Sequence, residues 1–414
     1  MSERFFIEEL ANGLTVLGQQ MPTVSSAALT LAVRCGSAQD PPELAGASSV
    51  ACEWCLRGAG GRSTRELHEA LDALGCQHHE SVRGEHLVIS AAQLSRNLDA
   101  VLGIVADLVC RPELAEKTFG PSRALVEQDL AALADEPARL SSLLLRERFY
   151  PWPLGRCVYG SAETLAALEP ESLRQHIRRQ LTPAGAILAV AGDVEFAALG
   201  ERVRELFGDW SGSEAPAGET SPPAGGVEHV ARDSAQVHIA LASPAAVMRD
   251  ERYYAARMAE MVLSGGASAR LHTEVREKRG LAYHVATHYH SLKDHAGLFT
   301  YAGTRPEIAS QTFEQVVREL RRLADGVGDD EIARAQTQLR SALVMQGEST
   351  SARAHALASD WYHLGRLRSL SELSDATRAV TAGDVLDYLA AFPADRPTAL
   401  VLGPEPIDTS ILDS

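Results

Sequence analysis

The chain has 414 residues, more than one ordinary hydrophobic core organises, so at least two domains or duplicated units are expected. With 45% hydrophobic and 23% charged residues it reads as soluble and globular, and no apolar run reaches the length of a bilayer span. A formal net charge of -16, from 39 basic and 55 acidic residues, argues against a nucleic-acid backbone or an anionic membrane as partner.

The first residues, MSERFFIEELANGL, run almost directly into a strand-like segment and leave no room for a signal or transit peptide, which makes the cytoplasm the default location. All six cysteines, Cys35, Cys52, Cys55, Cys76, Cys110 and Cys157, fall in the first half. An unsignalled protein of this size has little need of disulfides, so they read as buried or idle thiols. Helical periodicity covers Arg65–Leu74, Leu94–Val109 and Phe119–Leu133, with strand-like alternation at His86–Ala91. A helix over Pro170–Gln180 then precedes an apolar strand over Ala186–Ala191.

Residues 211–226, SGSEAPAGETSPPAGG, cannot bury apolar surface and read as a linker between a domain at 1–210 and another at 227–414. The second half repeats the order of the first. A helical stretch at Ser268–Lys278 leads to strands at Ala282–Tyr289 and Leu298–Ala302, then helices at Ile308–Ala324 and Asp330–Met345, a helix at Thr381–Ala390 and a strand at Thr398–Leu402. Strands in groups and helices in pairs predict an α+β protein of two similar domains, each an antiparallel-rich sheet with helices packed on one face.

Gly46 to Ala59, GASSVACEWCLRGA, resembles the metal helix of the pitrilysin/insulinase-type zinc peptidases. Other landmarks of that family follow in order: Leu10 to Leu14; Gly36, Ser37 and Glu43; Pro153 to Arg156 with Gly160; Ala191 to Val194; Gly265, Gly266 and Ser268 to Leu271; Glu274 to Tyr283; and Val380, Thr381, Asp384 and Val385. The resemblance implies a duplicated fold whose domains enclose a peptide chamber. In the family the helix carries H-x-x-E-H, two histidines that ligate zinc and a glutamate that activates the metal-bound water. Here the first histidine position is Ser49, the base position is Cys52 and the second histidine position is Glu53. The third ligand, a glutamate on a later helix, falls at Asp129 within RALVEQD. Glu53 and Asp129 alone would make a hard oxygen site suited to Mg or Ca, and Cys52 cannot reproduce the base. Asp129 also reads as an ordinary acid on a helix.

A relocated metal site is the rival chemistry. Cys52 and Cys55 form one C-x-x-C without a second, and read as buried helix thiols. His78 and His79 precede His86 on a strand or turn, while His284, His288 and His290 share parity on a strand. Without a third ligand or a base they read as a solvated strand face.

In related peptidases an arginine and a tyrosine seven residues later hold the substrate carbonyl, and Arg276 and Tyr283 have that spacing. A guanidinium and a phenol are donors able to meet negative charge developing on oxygen. The alternative is a helix-to-strand junction in which both are structural. Gly265 and Gly266 resemble the glycine loop near the substrate path, or a simple helix-start loop. The resemblance therefore implies a zinc-free subunit of a metalloendopeptidase, its own cofactor none, working with a zinc-bearing paralogous subunit on an extended peptide. A non-proteolytic scaffold or peptide-binding protein of the same fold is the alternative from another class.

Overall fold

The computed structural model describes residues 3–213 and 219–413, so part of the linker read from sequence, 214–218, lies outside the described residues. The chain forms two compact units. One comprises residues 1–132, 152–221 and 346–368, the other 133–151, 222–345 and 369–414.

The first unit is built on a six-stranded sheet in the order Arg4–Glu9, Thr15–Gln20, Ile187–Gly192, Ser26–Val33, Leu87–Leu94, Gln77–Val82. Neighbours are antiparallel except the pair Thr15–Gln20 with Ile187–Gly192, which is parallel. Its central strands are buried on both faces, and side-chain alternation assigns each residue to one of two cores. Val16, Leu29, Leu31, Leu188 and Val190 join the core that also holds the helices Ala47–Cys55 and Leu98–Cys110. Leu17, Ala28, Ile187, Ala189 and Ala191, of opposite parity, meet Ala354, Leu357 and Ala358 of the helix Thr350–Leu364.

The second unit carries a five-stranded sheet in the order His284–Ser291, Ala296–Thr304, Val237–Pro244, Thr398–Gly403, Val227–Ala231. Only the last pair is parallel. Val237, Ile239, Leu241 and Val401 face the helices Tyr253–Ser264 and Ala309–Arg322. The opposite face is covered by the helix Pro137–Phe149, whose Phe149 ring lies 5.2 Å from Phe299.

The predicted α+β class and duplicated architecture hold, with one addition to helices on a single face. Each sheet also carries a helix on its other face, supplied by the opposite half of the chain. Local signals agree with the repeat. Ser63 and Glu66 cap the helix Thr64–Ala73 reciprocally, and Thr381 and Asp384 do the same for Ala382–Ala391. Among the described residues no helix is long and apolar enough to cross a membrane.

Candidate functional site

The helix Ala47–Cys55 is held at its N-terminus by one buried carboxylate. Asp40 accepts from the Gly46 and Ser48 amides at 3.2 and 3.1 Å and from the Ser48 hydroxyl at 2.5 Å. His176 Nε2 lies 3.0 Å from the same carboxylate, and Arg156 donates to the Ser37 and Asp40 carbonyls. Gly46 adopts φ +94°, and a Cβ there would stand 2.6 Å from the Tyr159 carbonyl oxygen, so only glycine fits this approach. The family landmarks Gly36–Ser37, Gly46 and Arg156 are thus a support for this helix. Asp40 was missed from sequence; its signal is an acid placed just before a glycine-led helix start.

On that helix the side chains do not compose a zinc site. Ser49 is buried and its hydroxyl donates to the Val158 carbonyl at 2.7 Å. Burial pushes the Cys52 thiol well above its ordinary pKa, with Cys55, Glu80, Glu53 and Cys35 adding to the effect. Burial likewise pushes Cys55 up to about 12. Both are free thiols kept from the thiolate form that nucleophiles and metal ligands need. Glu53 is half-buried, and its carboxyl is raised first by desolvation; Arg57 opposes this, while Asp129 and Glu80 add to it. Glu80 is therefore a further acid near Glu53, unnoticed in the sequence because it sits on the strand Gln77–Val82. Its Oε1 lies 3.0 Å from His78 Nδ1. Asp129 lies exposed on the helix Glu116–Ala132. A neutral hydroxyl, a buried thiol and a carboxyl disposed to hold its proton do not fit catalytic zinc. Among the described residues no three or more His, Cys, Asp or Glu are grouped to hold a metal ion.

His284, His288 and His290 lie on the strand His284–Ser291, as their parity predicts. They have protein partners: His284 packs near Tyr301, His288 stacks on Phe299, and His290 Nδ1 meets Tyr150 Oη at 2.7 Å.

Arg276 and Tyr283 are brought together. His272–Glu277 forms a π-helical turn, a feature frequent at functional sites, and Arg276 is in it. Val275 is fully buried and anchors the turn, while Glu274 binds Lys278 and Arg279, each at 2.7 Å. The chain then returns through Gly280, whose amide donates to Arg276 O at 3.0 Å, and Leu281, whose amide donates to Val275 O at 2.9 Å. The buried hydroxyls of Thr304 and Thr312 both donate to Leu281 O, at 2.6 and 3.1 Å. Tyr283 N donates to Gly303 O at 3.1 Å and starts the edge strand. The result is a guanidinium carbon 5.7 Å from the Tyr283 ring centroid, with Arg276 exposed and Tyr283 82% exposed. Gly265 and Gly266 end the helix Tyr253–Ser264, packed so closely on Gln338 that a Cβ on Gly265 would stand 2.5 Å from its Oε1.

The duplicated α+β fold, the buried and well-supported helix Ala47–Cys55 and the paired arginine and tyrosine are features of a peptidase-like protein. The sequence comparisons give the family. Residues 15–161 match the insulinase (peptidase family M16) domain, and residues 167–339 match the peptidase M16 inactive domain. The chain is 30% identical over 407 residues to a protein named as a zinc protease in Streptomyces coelicolor, covering 95% of this chain and 88% of that one. It is 27% identical to a Rickettsia felis protein of the same description, covering 98% of each. It belongs to the M16 (insulinase) peptidase family. Two solved structures share the fold. A Helicobacter pylori protease has TM-score 0.90 at 18% identity, covering 98% of this chain and 100% of that one. An M16 inactive domain from Pseudomonas fluorescens has TM-score 0.87 at 20% identity, covering 98% and 99%.

Proposed function

We propose that this chain is the zinc-free subunit of an M16-type metalloendopeptidase, contributing half of a peptide-binding chamber and presenting Arg276 and Tyr283 to the substrate carbonyl on a zinc-bearing paralogue. The observation that carries the reading is the pairing of two exposed donors, neither of which is taken by a carboxylate among the described residues. Preorganised donors aimed at an oxygen where charge develops lower the barrier to peptide hydrolysis, because they pay no reorganisation at the moment of reaction. The partner would supply the metal and the activated water; this chain would bind and orient the polypeptide, with Gly265 and Gly266 beside the substrate path.

The test is co-purification with a paralogue bearing H-x-x-E-H from the source organism, followed by peptide turnover of the assembled complex. Tyr283→Phe and Arg276→Ala should each lower turnover by about a hundredfold, the scale of losing one oxyanion donor. The double variant should lose less than the product of the two, since both act on one oxygen. Unchanged turnover in both single variants would make the pair structural and put the non-proteolytic scaffold in its place.

A further inference from the structure

The helix Pro137–Phe149 and the sheet beneath it enclose a guanidinium with no acid. Arg146 is half-buried, with its Cζ 5.8 Å from the Phe299 ring centroid. His288 stacks on the same ring at 5.9 Å and an interplanar angle of 21°, and is itself exposed. Around them, Phe149 and Tyr150 pack on Phe299, and Tyr150 Oη is bonded to His290 Nδ1 at 2.7 Å. The neighbouring charges are already engaged. Arg148 pairs with Glu228 at 2.6 Å, and Glu260 pairs with Arg257 at 2.7 Å while accepting from the Tyr289 amide at 3.0 Å. Other sheltered arginines face carboxylates: Arg270 meets Glu331 at 2.7 Å and Arg368 meets Asp360 at 2.6 Å. Among the described residues Arg146 has no such partner, and burial lowers its pKa. Desolvating a charge without a counter-charge is costly, so a site of this kind gains by admitting an anion.

We propose that Arg146 and His288 form a binding site for a carboxylate, presented either as an acidic side chain or as the C-terminus of a peptide. The guanidinium fork donates to both carboxylate oxygens, Phe299 forms an apolar wall, and the exposed imidazole adds a second donor. Partial desolvation of the imidazole against the Phe299 ring, together with the charge of Arg146 and opposed by Glu260, lowers the His288 pKa, so the imidazole is neutral near pH 7 while the site is empty. A bound carboxylate offsets Arg146 and draws a proton onto His288, and binding therefore tightens as the pH falls. The inference does not depend on the role proposed for Arg276 and Tyr283.

The test is calorimetry on the full chain with three short extended peptides: one glutamate with an amidated C-terminus, its glutamine counterpart with a free C-terminus, and that counterpart amidated. At least one charged peptide should bind about tenfold or more tighter than the neutral one. Its affinity should rise roughly fivefold between about pH 7.5 and pH 6. The peptide that binds identifies the source, side chain or terminus. Arg146→Gln should reduce binding to the level of the neutral peptide, and His288→Gln should retain binding but lose its pH dependence. In the unmodified chain the His288 imidazole resonance should shift on titration, which keeps the test independent of how the variants fold. Equal binding of charged and neutral peptides, a stationary His288 resonance, or full affinity in a folded Arg146→Gln chain would overturn the site.

Discussion

Glu53, which the family resemblance sets at the second histidine position, sits where its environment opposes even a carboxylate charge. Its folded pKa is raised, so the stability it contributes is full below the ordinary carboxylate range and is lost as the pH rises through the folded value. Glu53→Gln should therefore raise the melting temperature near neutral pH, where it relieves repulsion from Asp129 and Glu80. The gain, a fraction of a kcal/mol for a half-exposed group, should vanish near pH 3. A thermal unfolding series across that range checks the sign. Restoring metal chemistry requires more: Ser49→His, Cys52→Glu and Glu53→His with Asp129→Glu should recover zinc binding before activity. The histidine at 49 replaces a small buried hydroxyl, and overpacking of this kind costs about 1–3 kcal/mol. Zinc titration of that quadruple variant beside the native chain reports the outcome. The proposal that Ser49, Cys52, Glu53 and Asp129 stand at ligand and base positions comes from residue types and the family resemblance alone. Glu80 could not be read that way, because its nearness to Glu53 comes from the strand Gln77–Val82 packing beside the helix.

At the level of elements, the Pro170–Gln180 helix falls where its periodicity places it, and Thr398–Leu402 extends by one residue to Gly403. The helical pattern at Ser268–Lys278 becomes mostly a π-helical turn at His272–Glu277. Periodicity reports which residues are buried, and Leu271 and Val275 are, but it does not distinguish hydrogen-bond registers. The helices Pro137–Phe149 and Thr350–Leu364 were missed as partners of the opposite half, because alternating burial shows that a sheet face is covered and not by which segment. Gly297 makes the first of these dockings possible: a Cβ there would stand 2.7 Å from the Phe149 ring. Gly297→Ala should destabilise by about 1–3 kcal/mol through overpacking. Chemical denaturation measures the loss, and Phe149→Leu in the same chain should recover part of it.

Over the whole molecule, the exchange of helices means that neither half of the chain contains all of one unit. Residues 1–213 produced alone would leave the apolar face around Leu17, Ala28 and Ile187 without its helix, and residues 219–414 would lack Pro137–Phe149. Each half should be unstable or aggregate when made alone, and the two should co-purify as a folded pair when made together. A cooperative unfolding transition in either isolated half would contradict this. The internal repeat was legible in the sequence because each half keeps its own strand order, whereas the exchange leaves no local trace. The central claim, that this M16 chain carries no zinc of its own, is tested most directly by the metal content of the purified native chain after equilibration with zinc. The account predicts well under one zinc per chain and no peptide hydrolysis. One tightly held zinc per chain, with hydrolysis abolished by a chelator, would contradict it.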